Sequence, residues 1–137
     1  MTRKELQALA VLRVREAKLL LKNDCPDGAY YLAGYAAECA IKACIARRTV
    51  RYEFPDKKRV EQSWKHDFKE LIAAAELTKV LGDDERLHPD LSANWAIVRK
   101  WRPESRYARH SWAKAEELLK ALEDRRNGVL RWLKHHW

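Results

Sequence analysis

The sequence predicts an all-α protein, an antiparallel up-down bundle of four to five helices in which residues 1–137 form a single domain. Three observations carry that prediction. Apolar residues recur at three- and four-residue intervals along most of the chain, the period of one helix face. Only four glycines and four prolines interrupt 137 residues, too few breakers for a sandwich of short strands. Helix-start chemistry, an acid or a serine just ahead of an apolar run, recurs at intervals. A chain of this length buries one continuous core but not two.

The first helix is predicted over Arg3 to Lys22, with Leu6, Leu9, Ala10, Ala17, Leu20 and Leu21 on one stripe and Arg13 falling inside it. "NDCPDG" ends it, and Asp24 followed by Pro26 and Asp27 predicts a capping acid with a proline in the next first turn. The second helix, about Cys25 to Arg48, is small and apolar nearly all round, so it belongs at the centre of the bundle. Thr49 to Lys65, broken by Pro55, reads as a long surface connection. Asp67 and Glu70 then form a capping-box pattern ahead of Phe68, Leu71, Ile72, Ala75 and Leu77, with Gly82 closing the helix. Pro89 separates a short turn from a helix over Asp90 to Trp101 that points Leu91, Trp95 and Val98 inward. Pro103 makes "RPESRYARHS" a turn. Ser111 caps a last helix in which Trp112, Ala115, Leu119, Leu122, Val129, Leu130, Leu133 and Trp137 keep helical period through Gly128 to the final residue.

A net charge of +8 and a pI near 9.5 surround a small body with positive field, which favours polyanions such as RNA, DNA or nucleotides. The N-terminus lacks the apolar core and cleavage site of a secretory signal, so the chain is expected in the cytoplasm. Cys25, Cys39 and Cys44 lack metal-type spacing and read as reduced packing thiols. Glu38 and Lys42 exclude a membrane span for the second helix, since each unpaired charge costs about 2.5 to 3.5 kcal/mol at mid-bilayer. No phosphate-binding glycine loop, nucleophile elbow or zinc-type pattern occurs. His66, His88, His110, His135 and His136 are scattered, and no metal or cofactor is expected.

"VREAKLLLKND", "AYYLAGYAAECAIKACIA", "HDFKEL" and the "PESRY" turn together resemble the HEPN family, the higher-eukaryote and prokaryote nucleotide-binding domains, over roughly residues 10 to 110. The resemblance implies a HEPN-like bundle that forms homodimers. It also implies a prokaryotic two-gene toxin and antitoxin module with a small nucleotidyltransferase as protein partner. Many members are metal-independent RNases in which an arginine and a histidine a few residues apart line a cleft between protomers. Arginine suits the stabilisation of a phosphorane and histidine the transfer of protons near neutral pH. Arg131 and His136 have four residues between them, whereas Arg106 and His110 have three, one fewer than the family spacing asks. Trp132 follows Arg131, where active members commonly carry a small polar residue.

Trp101, Arg102, Arg106, Tyr107, Arg109 and His110 interleave cations with aromatics, the pattern of a surface that holds phosphates and stacks bases. Glu38 and Lys42 lie one helical turn apart and can pair, with Arg13 of the first helix as the expected third partner; a charge triad of this kind fixes bundle register. The leading expectation is therefore a nucleotide- or RNA-binding protein. Two alternatives stand beside it: a metal-independent endoribonuclease toxin using an Arg/His pair, and a non-catalytic structural partner subunit.

Overall fold

The computed structural model describes residues 1–49, 54 and 56–137, and every regular element among them is helical. Helix α1 (Arg3–Lys22) begins in a complete capping box: Thr2 Oγ1 accepts from the Glu5 amide at 3.2 Å, and the Glu5 carboxylate accepts from the Thr2 amide at 2.7 Å. It buries Ala10, Val14, Ala17 and Leu21, one stripe at helical spacing. Leu6 and Leu9, predicted for the same stripe, are only partly buried.

Helix α2 (Pro26–Arg48) is the central rod. It packs against α1 and against the later elements described below, and its small residues Ala29, Ala33, Ala36, Ala37, Ala40 and Ala43 are buried. Asp24 does not cap it. A three-residue link joins two antiparallel helices here, and the link is a Schellman motif: the Cys25 amide donates to Leu20 O at 2.8 Å and the Asp24 amide to Leu21 O at 3.1 Å. Asp24 therefore takes the left-handed position, φ 58°, and leaves Cys25 at the start of α2 with no side-chain cap.

Pro55 and residues 50–53 of the predicted connection lie outside the described residues. The remainder is not all connection, because Asp56 accepts from the Lys58 amide at 3.2 Å and starts α3 (Lys57–Ser63). Helix α4 (Phe68–Ala74) starts at Asp67 as expected, whose Oδ1 accepts from the Lys69 and Glu70 amides. Glu70 does not complete the box; its carboxylate pairs with Lys65 at 3.3 Å. Gly82 does not end this helix. A second Schellman motif does: Leu77 N to Ile72 O at 3.1 Å and Glu76 N to Ala73 O at 3.0 Å, with Glu76 at φ 60°. Helix α5 (Thr78–Leu87) then runs through Gly82, whose missing side chain faces open space.

Helix α6 (Pro89–Val98) buries Leu91, Trp95 and Val98 as predicted. A 3-10 turn follows (Pro103–Tyr107). Ser111 caps α7 (Trp112–Glu123), accepting from the Lys114 amide at 3.1 Å. The last predicted helix is two. Helix α8 (Val129–Lys134) restarts at Gly128, where a Cβ would lie 2.6 Å from the backbone oxygens of Leu122 and Asp124. Trp112, expected inward, is 45% exposed and donates its indole N–H to Leu21 O at 3.1 Å. No helix among the described residues is long and apolar enough to cross a membrane.

Candidate functional site

One face of helix α2 carries a line of charged and aromatic groups to the surface. Asp27, Tyr31, Tyr35 and Lys42 are partly exposed on it and Glu38 lies beneath, a spacing of four, four, three and four residues that keeps all five on one face. The Tyr31 and Tyr35 rings are parallel, 5° apart at 6.3 Å. Glu38, with its side chain only 5% exposed, accepts on Oε1 from Lys42 Nζ at 2.9 Å and from His66 Nδ1 at 3.0 Å. The acid and amine are thus a real pair, but its third member is not Arg13. Arg13 pairs with Glu16 on its own helix at 2.6 Å and lies 5.9 Å from the Tyr35 ring centroid. His66, supplied by the link between α3 and α4, takes the place expected for it. Burial and then the Glu38 carboxylate push the neighbouring Cys39 thiol up to about 11.

The segment from Trp101 to Trp112 flanks this stripe, though not as a uniform surface. Trp101 is 1% exposed and so is not a stacking platform. It packs between Phe68, at 5.5 Å, and Tyr31, at 5.8 Å, in the space that Gly34 leaves by lacking a side chain. Arg102 is anchored to Asp67 Oδ2 at 2.9 Å, and Arg109 to Asp27 Oδ2 at 3.1 Å. Asp27 also accepts from the His110 amide. Two acids therefore clamp the two ends of the segment while its middle, Arg106 and Tyr107, faces solvent. Arg106 lies 4.9 Å over the Tyr107 ring. The Tyr107 and then the Tyr31 hydroxyls favour its charged form and raise its pKa.

Neither arginine–histidine pair presents two free groups to a substrate. His110 stacks on Tyr30 with centroids 4.0 Å apart, and its Nε2 donates to Ser105 O at 3.0 Å. That bond places the neutral ring's lone pair on Nδ1, which is buried without a partner, as is Ser105 Oγ. His136 rests on Trp132 at 4.4 Å. Burial lowers its pKa, opposed by Asp84 and reinforced by His135, Arg47 and Arg48, whereas Arg131 lines a separate hollow with His135.

Sequence reasoning missed Tyr31, Tyr35, Asp27 and Asp67 as site residues and counted His66 only among the scattered histidines. The signal was present: Asp27, Tyr31, Tyr35, Glu38 and Lys42 are charged or aromatic residues spaced four, four, three and four apart, which puts them on one helix face. Among the described residues no group of three or more His, Cys, Asp or Glu is placed to hold a metal ion. No family model, no curated protein and no solved structure matches the chain.

Proposed function

We propose that this protein binds nucleotides or RNA, with phosphates taken at Arg106 and bases stacked on the tyrosines around it. One observation carries the reading: among the described residues Arg106 has no carboxylate partner and is held instead by tyrosine. Arg102 and Arg109 on either side are each neutralised by an acid. A guanidinium is always charged and has five donors, so two tyrosine hydroxyls leave donors over for an anion. Tyr107, 80% exposed, offers a ring face beside it. The overall charge of +8 draws polyanions towards that point.

Binding without cleavage is the favoured mode, because His110 has one nitrogen committed to a carbonyl and the other enclosed. The test is anisotropy of labelled single-stranded RNA titrated in chelator at several salt concentrations. Arg106→Ala is expected to weaken binding about tenfold and to reduce the salt slope by about one. Affinity unchanged in that variant would remove Arg106 from the site. RNA cleavage in chelator that is lost in His110→Ala would favour the RNase alternative. The HEPN resemblance adds a homodimer beside a small nucleotidyltransferase; a monomeric sedimentation coefficient would remove the dimer from the proposal.

A further inference from the structure

Below the tyrosines, α1, α2 and the end of α3 enclose a groove of about 470 Å³, within the range of small-molecule sites. Leu6 and Leu9 of α1 and Ile45 of α2 line it, with Glu38 and Lys42 as its charged groups. Trp64, 78% exposed, stands on its border. This is an apolar slot with a small polar patch, and the chemistry of the patch narrows what fits.

A carboxylate offers about four acceptor positions. Both hydrogen bonds to Glu38 fall on Oε1, and Oε2 has no partner among the described residues. Lys42 Nζ has three donors, of which one is used on Glu38. The patch therefore presents unused acceptor capacity beside unused donor capacity. The complementary ligand edge has N–H donors next to a carbonyl, on a flat body that an apolar slot and an indole can hold.

Resting on the nucleotide-binding reading, we propose that this groove is a base pocket selective for guanine. Glu38 Oε2 accepts from N1–H and the 2-amino group, and Lys42 donates to O6. Among the four common bases guanine alone sets two adjacent N–H donors beside a carbonyl. Adenine lacks the carbonyl, and cytosine and uracil lack the second adjacent donor. Trp64 supplies the stacking face, and the stripe leads from the groove through Tyr35 and Tyr31 towards Arg106.

The experiment is calorimetric titration of the full chain with GMP, IMP, AMP and CMP at one salt concentration. GMP is expected to bind at least about tenfold more tightly than AMP or CMP, equivalent to about 1.4 kcal/mol, with IMP between because it lacks the 2-amino donor. Glu38→Gln should abolish the preference, with a melting curve recorded beside it. Should that variant fail to fold, Trp64→Ala, altered at an exposed position, should weaken all four ligands and keep their order. Equal affinity for the four, or a preference for GMP that survives in a folded Glu38→Gln, overturns the proposal. Guanosine without phosphate separates the two readings. Guanine selectivity that persists while Arg106→Ala has no effect removes only the phosphate site, and salt-dependent RNA binding without base preference removes only the pocket.

Discussion

Gly34→Ala tests the packing that brings the 3-10 segment onto α2. A methyl group at Gly34 would fall inside the van der Waals envelope of Trp101, meeting Cγ, Cδ1 and Nε1 at once. Trp101 is fully buried, and an indole removes on the order of 200 Å² from water, worth about 5 kcal/mol at ~25 cal/mol per Å². Alanine in a helix interior regains about 1 kcal/mol over glycine. Complete ejection of the ring therefore costs about 4 kcal/mol net. If the ring shifts and stays buried, overpacking of about 1–3 kcal/mol leaves a loss of up to about 2. Urea unfolding followed by circular dichroism measures it, as a lower midpoint at unchanged slope. In a Trp101→Leu background the same substitution should be neutral or stabilising, since the clash has gone. A midpoint that rises in the wild-type background would refute the packing argument, because helix propensity would then be the only effect of the methyl group.

Further outcomes follow from the same geometry. Asp24→Gly should stabilise by about 0.5–1 kcal/mol in thermal melts, because glycine occupies the left-handed position without the Cβ penalty. Gly128→Ala should lower the melting temperature, since its Cβ meets fixed backbone oxygens and not a movable side chain. Lys42→Met should destabilise by roughly 2 kcal/mol by leaving Glu38 buried with only His66, and Glu38→Gln added to it should recover part of that loss, as a double-mutant cycle would read. Burial pushes the Cys39 and Cys44 thiols up to about 11 and about 12, so native protein should expose one reactive thiol, Cys25, to a disulfide reagent at pH 8 and three after unfolding. The folded values lie above the unfolded value near 9, so the unfolded chain loses these protons first. Stability should hold below about pH 9 and fall as pH rises from there towards 12.

The order of the long helices was legible because hydrophobic period marks an amphipathic helix, as in α1, and capping chemistry marks a helix start, as at Asp67 and Ser111. The burial of Leu91, Trp95 and Val98 was legible for the same reason. Two of the misplaced boundaries share a cause. Asp24 and Glu76 occupy left-handed positions that sequence reasoning assigns to glycine, so one was taken for a cap and the other was passed over in favour of Gly82. At Gly128 the break comes from close approach of backbone atoms, which period cannot reveal when apolar residues continue on the far side. In the site, the pairing of Glu38 with Lys42 was readable from a spacing of four along one helix. Replacement of Arg13 by His66 was not, because it depends on how the link between α3 and α4 folds back over α2. Trp101 was misread as a surface group because aromatic and cationic residues alternate there; a residue about half the chain away, Gly34, decides that the ring turns inward.

Asp67 holds two things together. One of its oxygens secures the first amides of α4 and the other restrains Arg102, so alanine at this position would loosen a helix start and liberate a guanidinium in the same stroke. Thermal resistance and attraction for anions are therefore set against each other at this residue, and selection for either would be felt by the other.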